Sequence, residues 1–296
     1  MIFDTAEGMV FRPPSEANSL ILRVTIGCSH NACTFCAMYK DVAFRIRPPE
    51  EVSALIRQAA RLYPQTRRVF LADGNALVLP QKQLLTILHW LRESLPKLSR
   101  VTCYGGPKDI LRKTPSELRE LKAAGLQLIY LGIESGDEEV LRRVGKGATA
   151  NEMITAGRKV LDAGMKLSAM VILGLGGKEL SRVHAAHTAQ VVSAINPTML
   201  SALTLMLPEE TALRAEAEQG NFAPLSPYEL LQELKWLLEN TRMSEPSIFR
   251  SNHISNLVAL AGSLPADKDR LLEEVRQALE RFRNETTPTY NERETF

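Results

Sequence analysis

Residues 19–36 read SLILRVTIGCSHNACTFC. The first nine are mostly apolar and rich in branched side chains, the composition of a strand buried on both faces. That run stops at Cys28. Cys33 and Cys36 follow, so three of the chain's four cysteines fall within nine residues at the spacing C-x4-C-x2-C. Thiolates select zinc or iron–sulfur centres. A structural zinc site is closed by four protein ligands, and the fourth cysteine, Cys103, lies far away on a predicted strand. A four-iron cluster held by three cysteines instead leaves one iron open to an outside molecule. Completion of a zinc site by His30 or Cys103 is the competing reading.

Outward from this loop the chain alternates strand and helix. Strands are expected at 68–73, 100–104, 126–133, 166–173 and 200–207. Helices are expected at 49–63, 81–95, 116–124, from 138, at 151–163 and at 181–195. Glu50 and Glu51 suit the first turn of the first helix, and Gly125 suits a C-terminal cap. Six strand–helix units in series imply parallel strands joined by right-handed crossovers. The first strand lacks the glycine-rich fingerprint of a dinucleotide fold, which favours a partial (β/α)6 TIM-like barrel, an α/β fold with a helical C-terminal extension. The expected organisation is a lead-in at 1–18, the barrel at 19–210 and a mostly helical cap at 211–296. Helices at 227–240 and 267–284 build that cap, and the last dozen polar residues are expected to be disordered.

The 296 residues are 45% hydrophobic and 24% charged, with a net charge of +2. That mix is an ordinary globular one, and the charge gives no footprint for nucleic acid. Residues 1–14 lack the basic start and apolar stretch of a signal peptide, and no apolar run is long enough to span a bilayer. A cytoplasmic location is expected, where clustered cysteines serve as metal ligands rather than disulfide partners.

From about residue 20 to residue 207 the chain resembles the radical S-adenosylmethionine (SAM) superfamily. The resemblance implies a [4Fe–4S] cluster on Cys28, Cys33 and Cys36, with SAM chelating the fourth iron through its amino and carboxylate groups. It implies reductive cleavage of SAM to methionine and a 5′-deoxyadenosyl radical, which abstracts hydrogen from an organic substrate. The usual family spacing is C-x3-C-x2-C, and this chain has one more residue in the first gap. Phe35 stands where the family places an aromatic residue beside the adenine. Asp73, Gly74 and Asn75 stand at the family's turn for the SAM ammonium group. Glu134 and Ser135, in Gly132-Ile133-Glu134-Ser135-Gly136, resemble a ribose-binding motif. Lys146 and Arg158 are candidate partners for the SAM carboxylate. Ile172 and Gly174 resemble the fifth-strand adenine motif, and Leu205 and Met206 could line the base from the sixth strand.

On the substrate side, Tyr39, Lys40, Arg45 and Arg47 follow the cysteine loop and could bind an anion. Arg250, Asn252, His253 and Asn256 form a polar cluster in the cap, where His253 could relay a proton. Cys103 is a buried strand residue or a hydrogen-atom donor to a product radical. Catalytic candidates are thus Cys103, His253 and Arg250. One cluster requires an external electron donor, flavodoxin- or ferredoxin-like, and a small-molecule substrate is favoured over nucleic acid. Two other readings stay open: a zinc-stabilised barrel that binds a ligand without redox chemistry, and a maturation factor acting on a protein or tRNA.

Overall fold

The computed structural model describes residues 10–288. The expected disorder of the last dozen residues falls mainly outside them, as does half of the lead-in. The chain runs β1 (Leu20–Arg23), β2 (Thr25–Ile26), β3 (Arg45–Ile46), α1 (Pro49–Leu62), β4 (Arg68–Ala72), α2 (Gln81–Ser94) and β5 (Arg100–Tyr104). It continues α3 (Pro107–Arg112), α4 (Pro115–Ala124), β6 (Leu126–Glu134), α5 (Glu138–Arg143), α6 (Ala150–Asp162), β7 (Lys166–Leu173), α7 (Gly177–Ile195) and β8 (Met199–Thr204). Last come α8 (Ala212–Glu218), α9 (Pro227–Asn240), β9 (Ser247–Ser251), β10 (Leu260–Leu264) and α10 (Lys268–Arg281).

The principal sheet has the order β1-β4-β5-β6-β7-β8-β9-β10, parallel at each pairing with a resolved register except the last, β9–β10, which is antiparallel. This is the α/β class expected from the alternation. The expected first strand proves to be two. After Arg23 the chain leaves β4, and β2 pairs antiparallel with β3, Thr25 opposite Ile46 and Ile26 opposite Arg45. The C-terminal part also supplies two strands that were not expected. Ser247–Ser251 alternates buried and exposed residues around the fully buried Phe249, a period-two pattern too short and polar to stand out.

Local chemistry explains the helix boundaries. Helices α1, α3, α4 and α9 open on proline, whose missing N–H costs nothing in a first turn. Helix α4 adds a capping box: the Glu117 amide donates to Thr114 at 3.2 Å, and Glu117 accepts from the Thr114 amide at 2.6 Å. It ends at Gly125, whose φ of +118° a side chain would disfavour.

Two compact units are present. Within the described residues the first comprises 10–31, Met38–Leu131 and Ala156–Leu167, and the second Ala32–Ala37, Gly132–Thr155 and 168–288. In the first, Ile21, Leu22, Phe70, Leu71 and Ile129 are buried on the strands, with Ile56, Ile87 and Leu91 on the helices covering them. In the second, the core is built from Val171, Leu200, Phe249, Leu234, Leu237 and Val275.

Candidate functional site

In the first unit the site grows from the end of β1. Arg23 is a lone charge in an apolar strand and only 1% exposed. An unpaired buried charge is prohibitively costly, and Asp73, just beyond β4, meets it. Arg23 Nε and Nη2 donate to Asp73 Oδ2 at 3.1 and 2.7 Å, and the Gly27 amide donates to the same oxygen at 3.0 Å. The pair therefore anchors the backbone immediately before Cys28. The next turn closes against it: the Gly74 amide donates to the Gly27 carbonyl at 3.2 Å. A Cβ on Gly74 would sit 2.8 Å from the Cβ and 3.0 Å from the Cα of Cys28. Only a residue without a side chain lets this turn pass so close.

Asn75 locks the same region. Its amide nitrogen donates to Ser29 Oγ at 3.1 Å and Asp109 Oδ2 at 2.5 Å, and its oxygen accepts from the amides of Leu77 and Gly106 at 3.2 and 3.0 Å. The side chains of Asp73 and Asn75 thus hold the cysteine loop. Tyr39, expected among anion-binding residues, is instead 3% exposed. Its hydroxyl is buried with no hydrogen-bond partner among the described residues. Arg47 is also buried and lies 3.9 Å from Glu51, while Lys40 donates to the Asn31 carbonyl at 3.0 Å. Arg45 is exposed and 3.9 Å from Glu51. Cys103 is fully buried on β5, where burial pushes its thiol up to about 12 and Lys113 opposes the shift. Arg158 stands exposed on α6.

In the second unit, the Cys33–Cys36 segment is sewn in by two backbone bonds. The Thr34 amide donates to Val144, and the Leu213 amide donates to Thr34, each at 3.0 Å. Phe35 consequently packs against Val140, Val144, Leu175, Leu205, Leu207 and Leu213, together with Ile172. Three residues expected around an adenine, Phe35, Ile172 and Leu205, share this one apolar cluster.

At the end of β6, Glu134 has a φ of +64°. A side-chain-bearing residue there costs about 1–3 kcal/mol and persists only where its surroundings demand it, commonly at functional sites. Lys146 Nζ donates to Glu134 Oε1 at 2.9 Å, both side chains being 13% exposed. The pair presents a carboxylate and an ammonium group together. Ser135 differs: it is fully buried, lies 2.8 Å from His184 Nδ1 and accepts from the Asp137 amide at 3.0 Å. Its hydroxyl serves the fold.

Sequence reasoning missed the network behind β7. Glu233 is fully buried; it accepts from the Gly174 amide at 2.6 Å and from Ser181. His184 Nε2 lies 3.6 Å from Glu233 and 3.1 Å from the Ile172 carbonyl. Burial holds the Glu233 carboxyl above its ordinary range, opposed by His184 and the two hydrogen bonds. A glutamate inside the apolar helical pattern of α9 was the available signal. Arg250 donates to the Phe249 carbonyl at 2.7 Å, on β9 rather than in a helical cap. His253 follows in a turn whose Ser255 and Asn256 bond to Thr204 and Ala202 at the end of β8. Burial lowers the His253 pKa.

The donor set fits an iron–sulfur cluster. Cys28, Cys33 and Cys36 are all half-buried, and none is in a disulfide. Among the described residues no group of three or more His, Cys, Asp or Glu is drawn together to hold a single ion. Three thiolates, each on a separate iron, suit an iron–sulfur centre.

The model of the Radical SAM superfamily matches residues 22–189, more than half of the chain, and the chain belongs to that superfamily. Among curated proteins it is similar to the heme chaperone HemW of Bacillus subtilis (strain 168), 21% identical over 202 residues, covering 65% of this chain and 52% of HemW. The chain thus spans about half the length of that relative. Among solved structures it is similar to the radical SAM coproporphyrinogen III oxidase HemN from Escherichia coli. The TM-score is 0.56 at 18% identity, over 75% of this chain and 52% of HemN. It is also similar to the radical SAM methyltransferase TsrM from Kitasatospora setae, whose structure contains cobalamin and a [4Fe–4S] cluster. There the TM-score is 0.55 at 18% identity, over 67% of this chain and 39% of TsrM. These likenesses share the partial TIM-barrel fold. Among the described residues no helix is long and apolar enough to cross a membrane.

Proposed function

We propose that this chain is a radical SAM enzyme in which Cys28, Cys33 and Cys36 hold a [4Fe–4S] cluster. The observation that carries the reading is the close packing of the β4 turn on Cys28, with Gly74 bare against it and Asp73 tied to Gly27. A cluster held there would supply the electron for reductive cleavage of SAM, the chemistry by which hydrogen would be abstracted from an organic substrate.

This chain's own residues bind and orient. The carbonyls of the Gly74–Asn75 turn accept from the SAM ammonium group. Glu134 accepts from ribose hydroxyls, with Lys146 holding its carboxylate in place and offering positive charge to the SAM carboxylate. Phe35, Ile172 and Leu205 exclude water from the adenine. His253 and Arg250 are candidates for the substrate side. Electrons come from an external flavodoxin- or ferredoxin-like donor, and the substrate is a small organic molecule. The test is iron and sulfide content after anaerobic reconstitution. Wild type should hold about four of each per chain, and single Cys→Ala changes at 28, 33 or 36 should abolish that stoichiometry. Zinc in place of iron would overturn the assignment.

The likeness to HemW favours one second reading, a heme carrier. Stoichiometric heme binding by the purified chain, without 5′-deoxyadenosine formation, would select it.

A further inference from the structure

Helix α7 sends three side chains to the turn that follows β6. His184 Nδ1 lies 2.8 Å from Ser135 Oγ, Thr188 Oγ1 accepts from the Gly136 amide at 2.9 Å, and His187 Nδ1 lies 2.8 Å from Asp137 Oδ2. Positions 184, 187 and 188 share one face of a helix. The turn they hold begins at Glu134, whose φ of +64° persists only under support from its surroundings. Ser135 is fully buried, and its hydroxyl oxygen also accepts from the Asp137 amide at 3.0 Å.

His184 also reaches the next strand. Its Nε2 lies 3.1 Å from the Ile172 carbonyl on β7. A carbonyl only accepts, so Nε2 carries a hydrogen and donates to it whatever the charge of the ring. Glu233 Oε1 stands 3.6 Å from the same nitrogen, too far for a hydrogen bond, and takes the Gly174 amide at 2.6 Å instead. At the other side of the ring, Ser135 Oγ accepts from a protonated Nδ1 or donates to a bare one, so that bond too survives either charge state. Thr188 Oγ1 is the more distant neighbour of Nδ1, at 3.4 Å. The ring is 2% exposed, and hydrogen bonds shielded from water in this way are the stronger for it. One imidazole thus spans the ends of β6 and β7.

We propose that His184 is a positioning residue for SAM, fixing Glu134 at the ribose relative to Ile172 at the adenine. The inference rests on the SAM contacts proposed above for those two residues. The test uses anaerobically reconstituted wild type, His184→Phe, which keeps a ring and removes both nitrogens, and His184→Gln, which restores a hydrogen-bond donor. Equilibrium dialysis measures the affinity for SAM and for methionine, which has the amino and carboxylate groups of SAM and lacks its adenosine. With iron content and methionine affinity unchanged, His184→Phe should lose SAM affinity about tenfold, the equivalent of 1.4 kcal/mol, and His184→Gln should fall between it and wild type. An unchanged SAM-to-methionine ratio in an iron-loaded variant, or an equal loss for both ligands, overturns the proposal. Nitrogen-15 NMR of apo wild type with labelled histidine reads the bridge without any variant having to fold, the His184 signals being assigned through its backbone neighbours. Nε2 should carry the hydrogen, and a bare Nε2 overturns the proposal. If wild type binds no SAM, the proposed function fails and this inference with it; SAM binding by wild type beside an unchanged ratio sinks this inference alone.

Discussion

The change Asp73→Asn removes one charge from the interior and almost nothing else. The side chain keeps its shape, and its remaining oxygen can still accept from Gly27. What it loses is the charge facing Arg23. Arg23 is 1% exposed and Asp73 0%, with Nη2 2.7 Å and Nε 3.1 Å from the same carboxylate oxygen. Breaking one side of a buried pair costs about 3–5 kcal/mol, because the remaining charge stays in a low-dielectric site. An exposed carboxylate provides the control: Glu139 lies 2.7 Å from both Arg142 and Arg143, its side chain 39% exposed and theirs 72% and 43%. Surface pairs contribute about 0.2–1 kcal/mol, so Glu139→Gln should cost several-fold less. The assay is urea unfolding of the apo protein, followed by circular dichroism. At an m-value of about 1–3 kcal/mol/M, Asp73→Asn should move the midpoint by about 1 M or more, and Glu139→Gln should scarcely move it. Equal midpoints for the two variants would refute the view that this pair anchors the loop before Cys28.

Three further outcomes follow from the same geometry. Gly74→Ala places a Cβ 2.8 Å from the Cβ of Cys28, an overpacking cost of about 1–3 kcal/mol, and should lower iron occupancy after reconstitution relative to wild type. Glu134→Gln removes the charge held by Lys146 and should weaken SAM binding, measured by equilibrium dialysis of the reconstituted protein, about tenfold for a loss of 1.4 kcal/mol. Glu233 carries a carboxyl raised by burial, so the folded state holds that proton more tightly than the unfolded chain. Its contribution is fully present below the ordinary carboxyl range and is lost as pH rises through the raised value. Glu233→Gln should therefore gain stability relative to wild type as urea melts move from pH 5 to pH 8. A constant difference between the two proteins would contradict the shift.

The strand–helix alternation was legible because it is written in short-range patterns. The capping box at Thr114 and the stop at Gly125 are local signals, and α4 begins and ends where they stand. Long-range pairings left weaker traces. The first strand divides after Arg23 because residues 45–46, some twenty positions on, take over its pairing, and no local signal marks that exchange. The Asp73–Arg23 contact links residues 50 positions apart; its one trace was a lone arginine in an apolar run. Glu134 was read from its motif, but its left-handed backbone could not be. Ser135 was matched to ribose by the same motif, whereas its hydroxyl faces His184. A motif names residue types, and the three-dimensional neighbours decide which atoms remain for a ligand.

The central claim is tested most directly by reductive SAM cleavage. Anaerobically reconstituted protein is given dithionite and SAM, and 5′-deoxyadenosine is quantified by mass spectrometry. Wild type and Cys103→Ala, whose thiol is buried on β5, should both form the product. The variant with Cys28, Cys33 and Cys36 all changed to Ala should form none. A colourless wild-type protein that contains zinc and yields no 5′-deoxyadenosine would contradict the account.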